Sequence, residues 1–167
     1  MKMKNVFALL CCAVLLPLLS GCNESDDVAE IFTDKTWKLT VISLDGQHQW
    51  FDFWNGDEAA FQRSRRELEK GATFTVTFQG SETEGTVGGD FKAQAINRTI
   101  NGYWNADGSS RELHTTNIRT TGTDSDVLAR AFETGLRNAT RYTGDSQYLY
   151  IYYKDGQTTK CMAFHLQ

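Results

Sequence analysis

The sequence contains little proline and few cysteines, and most of them lie near its N-terminus. Of its 167 residues, one is a proline, Pro17, and four are cysteines. Cys11, Cys12 and Pro17 fall in a segment that we expect to be removed, which leaves Cys22 and Cys161. These two cysteines could form at most one intramolecular disulfide.

Motifs for catalysis and for metal binding are absent as well. No HExxH or CxxC motif occurs, and the three histidines do not have the spacing of a metal site. Asp124 and Asp126 lack the rest of a calcium-binding loop, and helix capping explains them better. The glycines within residues 85–89 do not precede a helix, so they lack the amides of a phosphate-binding loop. The sequence therefore predicts no enzyme, no metal and no cofactor.

Positive charge is limited. The formal net charge is −4, and removal of residues 1–21 takes away two lysines and no acid, which lowers the charge to −6. The phosphates of a nucleic acid would repel such an acidic domain. We therefore expect no nucleic-acid partner.

The N-terminus carries an export signal. Lys2 and Lys4 precede an apolar run, residues 6–16, that is too short to cross a bilayer as a helix. The run leads to the tetrapeptide LSGC, residues 19–22, which resembles the lipobox of bacterial lipoproteins. An ordinary secretory signal with an incidental cysteine is the alternative.

The lipobox resemblance implies a location. It predicts that residues 1–21 are a lipoprotein signal peptide and that lipidated Cys22 anchors the protein to the outer membrane of a Gram-negative bacterium. Only Cys161 then keeps a thiol, so an intramolecular disulfide is excluded. Residues 22–31 are predicted to be an acidic, flexible tether. Acids directly after the cysteine also resemble a surface-export signal, although a plain linker explains them equally well. Periplasmic and surface-facing positions both remain open.

Periodicity predicts one α+β domain over residues 32–167. Residues 72–79 alternate between phenylalanine or valine and threonine, as expected of a strand with one buried face. Residues 147–154 and 157–166 flank Asp155-Gly156, a strong hairpin signal that would pair Tyr150 with Cys161. In that hairpin both faces place large residues opposite small ones, which predicts a strand covered on both sides.

Two helices are predicted. One, over about residues 124–142, has an apolar stripe that should pack on the sheet. Gly135 within it suggests a close approach between helix and sheet. The other helix, over about residues 57–70, has few apolar positions and should lie on the surface.

The order of these elements resembles the META domain family of heat-shock lipoprotein-type envelope proteins. The resemblance covers roughly residues 32–166 and rests on four segments: TWKL at 36–39, TFTVTF at 73–78, LARAFETGLRNATRY at 128–142 and YLYIYY at 148–153. It implies a mainly antiparallel β-sheet that curls toward a barrel and carries a packed helix. It also implies an envelope protein without established enzymatic activity. A lipocalin-like barrel is the alternative fold, because Trp37 near the start of the first strand would suit that family too.

One aromatic segment is a candidate binding site. In an extended chain Trp50, Asp52 and Trp54 would share one side, so two tryptophans could stack on a sugar ring while the carboxylate accepts hydrogen bonds from its hydroxyls. Packing of these residues in the core is the simpler explanation. Two functions follow as hypotheses: a non-enzymatic interaction or structural module that binds an envelope protein, or a module that binds a small ligand or glycan.

Cys161 and His165 could be considered a nucleophile and its base. On a regular strand, residues four apart share a face but lie about 13 Å from each other. A catalytic pair needs heavy atoms within hydrogen-bonding distance. We therefore expect Cys161 to be a small buried core residue.

Overall fold

The computed structural model describes residues 24–167, which form three helices and eight strands. The predicted signal peptide and Cys22 lie outside the described residues. The elements in chain order are α1 Glu24–Phe32, β1 Thr36–Leu44, α2 Glu58–Leu68, β2 Thr75–Thr83, β3 Thr86–Gln94, β4 Arg98–Asp107, β5 Leu113–Gly122, α3 Val127–Arg137, β6 Ala139–Gly144, β7 Tyr148–Asp155 and β8 Thr158–Leu166.

The strands form a single antiparallel sheet in the order β5-β4-β3-β2-β1-β8-β7-β6. The sheet curls so that its two edge strands approach each other. An isolated bridge joins Glu112 to Arg141, and the Tyr142 amide donates to the Arg111 carbonyl at 3.0 Å. The sheet is nevertheless not closed. The predicted α+β fold with a sheet curled toward a barrel is confirmed, and the closed lipocalin-like barrel does not form.

The inner face of the sheet is covered by aromatic and aliphatic side chains, and α1 adds to this core. Phe32 of α1 is fully buried, and its ring lies 5.0 Å from Phe78, 4.8 Å from Trp104 and 4.9 Å from Tyr142. Val28 is fully buried too. The tether prediction is therefore wrong for its C-terminal part, because an amphipathic turn of helix packs into the domain where we expected a solvated chain.

The packed helix α3 is shorter than predicted. Asp126 begins it, because its carboxylate accepts hydrogen bonds from the amides of Leu128 and Ala129. The helix ends at Arg137, and the chain turns at once into β6, which pairs with β7. The predicted end at residue 142 is wrong because Tyr142 belongs to this strand. Pairing with β7 overrides the continued 3.6-residue periodicity.

A polar cluster fastens α3 to the sheet. Glu133, on α3, pairs with Arg98 of β4 and with Arg137, the latter at 2.7 Å. The Thr120 hydroxyl of β5 donates to Glu133 at 2.7 Å. Burial opposes the ionisation of Glu133, but these donors outweigh it and lower the pKa of the carboxyl.

Helix α2 lies on the surface, as predicted. Asp57 caps it by accepting from the Ala60 amide, and only Ser64 and Leu68 are buried among its residues. Among the described residues, 24–167, no helix has the length and apolar character needed to cross a membrane.

Candidate functional site

The predicted triad is brought together on the loop between β1 and α2. The rings of Trp50 and Trp54 lie 5.9 Å apart, edge to face, and a shallow cleft of about 230 Å³ opens between them and Asp52. Trp54 is only 6% exposed, whereas Trp50 is half-buried. One tryptophan of the pair is therefore a core residue.

Asp52 has a role within the loop. One of its carboxylate oxygens accepts from the Trp54 amide and the other accepts from the Gly56 amide, each at 3.0 Å. These bonds close the turn that leads into α2. The carboxylate already serves the loop backbone, so it has less capacity to accept hydrogen bonds from a ligand.

Trp54 is held by a chain of hydrogen bonds. Its indole N–H donates to the Ser64 hydroxyl at 2.9 Å, and Ser64 donates to Asp126 at 2.8 Å. The aromatic loop, α2 and the start of α3 are thereby tied to one another. The structure thus gives Trp54 and Asp52 roles in the architecture of the loop and leaves Trp50 partly exposed.

Cys161 and His165 are too far apart to act as a nucleophile and its base. Cys161 lies opposite Tyr152, whereas His165 lies opposite Tyr148, four residues further along the hairpin. Burial, with a smaller effect from Asp45, raises the pKa of the Cys161 thiol to about 11. The His165 ring is within 3.1 Å of the Thr40 hydroxyl. Cys161 is buried as predicted, but it lies outside the main core, on the outer face of the sheet.

A more extensive candidate site lies on that outer face. Tyr148, Tyr150 and Tyr152 occupy alternate positions of β7 and point away from the core. On β8, the small side chains of Ala163 and Cys161 lie opposite Tyr150 and Tyr152, and His165 lies opposite Tyr148. The difference in size leaves a cleft of about 460 Å³, which we call the tyrosine groove.

One wall and one end of the tyrosine groove are fixed by other elements. The loop after β1, residues 45–48, forms the wall opposite the tyrosines. At the end, the Arg141 guanidinium stacks 3.5 Å from the centre of the Tyr152 ring and pairs with Asp45 at 2.8 Å. This clamp holds Tyr152 in place and leaves the other two tyrosines open to solvent.

The two outer tyrosines are free to bind. Tyr148 is 50% exposed and Tyr150 is 37% exposed. Neither hydroxyl has a hydrogen-bond partner within residues 24–167. The expectation that this strand is covered on both faces is therefore wrong. The three tyrosines themselves indicated an exposed face. A buried tyrosine needs a hydrogen-bond partner for its hydroxyl, and a fully covered face would have to supply three of them.

The described part of the chain brings together no group of three or more histidine, cysteine or acidic side chains that could hold a metal ion. What the groove offers is aromatic surface, hydroxyl groups and one ion pair at its end.

Comparisons with known proteins identify the family. Residues 23–166 match the family described as a domain of unknown function (DUF4847). The crystal structure of a DUF4847 family protein from Bacteroides vulgatus ATCC 8482 is similar, with a TM-score of 0.58 and 27% sequence identity over 83% of this chain and 96% of that one. No curated protein matched the chain. Because the family match covers almost all of the described domain, the chain belongs to the DUF4847 family.

Proposed function

We propose that this protein is a lipid-anchored bacterial envelope protein that binds glycans, without enzymatic activity, in the tyrosine groove. The observation that carries the proposal is the row of outward tyrosines, two of them well exposed, above a floor of small residues. The proposal keeps the hypothesis from the sequence that exposed aromatic residues bind a glycan. It assigns that role to the tyrosines of β7 in place of the tryptophans of the loop.

The chemistry of the groove suits a saccharide. A sugar ring has an apolar C–H face and a polar edge of hydroxyl groups. Tyrosine matches both, because its ring is apolar and its hydroxyl can donate and accept hydrogen bonds. Tyr148 and Tyr150 lie two residues apart, which is about 7 Å along a strand. Neighbouring sugar units of one chain can therefore contact successive rings.

The proposal of a non-enzymatic role is supported by the state of Cys161, the thiol in the groove. With a pKa of about 11 its thiol stays protonated near neutral pH. His165 lies too far along the strand to accept its proton. A binding role accounts for the groove without any further group.

The envelope location rests on the sequence. The lipobox at residues 19–22 predicts acylation of Cys22, which supports a cell-envelope protein, whereas the matched family is DUF4847 and the META-domain resemblance is not confirmed. A DUF4847 relative from a Bacteroides species is consistent with a bacterial origin. The surface-facing position would give the groove access to extracellular glycans.

Binding of neutral oligosaccharides to the full-length protein in detergent tests the groove. An array of plant, host and bacterial glycans would supply the ligand, and calorimetry would measure its affinity. We expect Tyr150→Ala to weaken binding about tenfold or more, since stacking on an aromatic ring carries much of such an interface. Leu166→Ala is the control, because Leu166 on β8 is 39% exposed, close to the 37% of Tyr150, and does not line the tyrosine groove; it should leave this affinity unchanged.

Two outcomes would count against the proposal: no neutral glycan binds, or the Tyr150→Ala and Leu166→Ala variants lose affinity equally. The anchor is tested separately. Radiolabelled palmitate should label the wild-type protein and not the Cys22→Ala variant, and protease treatment of whole cells should degrade the domain if it faces outward.

A further inference from the structure

A second and larger cleft lies on the outer face of the other half of the sheet. It has a volume of about 750 Å³ and is built by strands β2 to β5, whereas the tyrosine groove belongs to β1, β7 and β8. We call it the polar cleft. The side chains that carry its chemistry are Gln79, Asp90, Lys92, Asn101, Tyr103 and Arg119.

Strand register aligns these side chains in two rows. Lys92 on β3 pairs with Asn101 on β4, and Asn101 pairs with Arg119 on β5. The two cations therefore stand two strands apart, about 10 Å, with an amide between them. In the neighbouring row Asp90 pairs with Tyr103.

A bulge shapes the cleft at its β5 side. Between the pairs Asn101–Arg119 and Tyr103–Thr116, β5 contains one residue more than β4. Asn117, in this bulge, has a φ of 50°, a left-handed conformation that non-glycine residues rarely adopt. Bulges of this kind redirect side chains. Here Asn117 and Arg119 both line the cleft.

The polar side chains of the cleft are not used by the fold. Lys92, Asn101, Asn117 and Arg119 have no side-chain hydrogen bond or ion pair within residues 24–167. Elsewhere, Arg98, Arg137 and Arg141 each pair with a carboxylate. The whole protein is acidic, so two cations that line one cleft and form no ion pair make a local site for an anion.

Tyr103 completes the site. It is 53% exposed, the largest exposed fraction of any large apolar or aromatic side chain in the described domain. Its position beside Asp90 places an aromatic face and a carboxylate next to the row of cations. Cations, amides, a carboxylate and an aromatic face in one concavity are the groups that recognise a sugar carrying a negative charge.

We propose that the polar cleft binds an acidic saccharide. Lys92 and Arg119 contact its carboxylate or sulfate group, Tyr103 stacks on a sugar ring, and Asn101, Asn117 and Asp90 hydrogen-bond to its hydroxyls. The cleft and its ligand are independent of the tyrosine groove, so either proposal can hold without the other.

Calorimetry on the full-length protein in detergent would test this with three probes: an oligogalacturonate, a sulfated heparin oligosaccharide and a neutral galacto-oligosaccharide. We expect one or both acidic probes to bind at least tenfold more tightly than the neutral one. Comparing the carboxylated and sulfated probes identifies the anionic group. Lys92→Ala and Arg119→Ala should each weaken the binding of the acidic probe about tenfold, and Tyr103→Ala should weaken it by a similar factor.

Arg66→Ala is the matched control, because this exposed arginine on α2 removes the same charge at a site away from the cleft. It should change the affinity less than twofold. Asn117→Gly gives a second test, because glycine adopts the left-handed conformation readily and the variant should stay folded while its affinity falls. Far-ultraviolet circular dichroism would verify the fold of every variant.

Several results would overturn the proposal. They are failure of both acidic probes to bind, equal binding of the neutral probe, or an unchanged affinity in the Lys92→Ala/Arg119→Ala double variant. Equal losses in Arg66→Ala and Lys92→Ala would also refute it, because they would indicate attraction by overall charge alone.

Discussion

The hydroxyl of Ser64 donates a hydrogen bond to the carboxylate of Asp126 at 2.8 Å, across 62 residues of sequence. Asp126 uses its other oxygen to cap α3, while Ser64 accepts from the indole of Trp54. Ser64 of α2, which is only 1% exposed, therefore joins the aromatic loop to α2 and to the start of α3. This hydroxyl adds to the Asp52 hydrogen bonds that also hold the loop.

Replacing Ser64 by alanine should destabilise the domain by about 1–3 kcal/mol, because the buried indole N–H of Trp54 loses its acceptor. Urea denaturation followed by tryptophan fluorescence would measure the free energy of unfolding. Ser125→Ala, at an exposed serine near the start of α3, is the control and should change it by less than about 0.5 kcal/mol. Equal stability of Ser64→Ala and wild type would show that water replaces the hydroxyl without cost.

Glu133 should make the domain sensitive to acid. Its pKa in the folded state lies below the value of 4.5 for a free carboxyl. The stability that ionised Glu133 contributes to the fold is therefore fully present above about pH 4.5 and is lost as the pH falls through the folded pKa. Glu133→Gln should cost about 1–3 kcal/mol at pH 7, where wild-type Glu133 accepts charged hydrogen bonds.

The difference in the free energy of unfolding between wild type and Glu133→Gln should shrink at acid pH, because the wild-type carboxyl then becomes protonated. Urea titrations at pH 7 and at pH 3 would measure it. Glu112→Gln is the control, since that exposed glutamate pairs with His114 alone and should have little effect. A difference that stays constant from pH 7 to pH 3 would contradict a role for the ionised Glu133.

The Cys161 thiol should react slowly in the folded protein. Burial raises its pKa from 9.0 to about 11, so near pH 8 the native thiolate population is small. Dithionitrobenzoate should modify Cys161 far more slowly in buffer than in urea, with the Cys161→Ala chain as the background. Rapid reaction in the native protein would contradict this placement.

The same shift predicts an alkaline effect on stability. A raised folded pKa means that the native thiol keeps its proton while the unfolded thiol loses it. Cys161 therefore destabilises the fold progressively as the pH rises from about 9 toward 11. Stability measured from pH 8 to pH 10.5 should decline less steeply in Cys161→Ala than in wild type, and equal slopes would contradict the prediction.

Gly135 should tolerate only a small side chain. A Cβ at this position would lie 2.5 Å from the Met162 sulfur and 3.2 Å from the Tyr153 ring. Gly135→Val should therefore destabilise the domain by about 1–3 kcal/mol through overpacking. Gly135→Ala should cost clearly less, because the end of Met162 can move and alanine favours the helix.

A double-mutant cycle would test the cause of this effect. If Met162 is the obstacle, Gly135→Val should cost less in a Met162→Ala background, and the two changes should not be additive. Additive effects would place the strain elsewhere in the helix. Thermal unfolding of the four proteins would supply the comparison.

Much of the fold could be predicted because local patterns and packing agree. In β2, Val76 and Phe78 are buried, as the alternation predicted. In the last hairpin, Tyr150 was expected to pair with Cys161 but pairs with Ala163. This shift of two residues moves the turn and keeps every side chain on its predicted face, since the strand period is two.

The errors come from contacts that are remote in sequence. Residues 28–31 look like the end of an acidic linker, yet Val28 is buried in the core, and the adjoining Phe32 packs against Phe78, Trp104 and Tyr142. The polar cleft could not be predicted from the sequence, because each of its residues taken singly resembles any polar surface residue. They become a site only through the register of four strands and the bulge at Asn117.

The packing of α1 restricts how far an anchored domain can stray. With lipid on Cys22, five residues separate the anchor from Val28, which is fully buried. Even a fully stretched chain of that length reaches only about 20 Å. Such a domain would stay close to the bilayer surface. It would therefore encounter polysaccharides attached to the same membrane more often than sugars dissolved far from it.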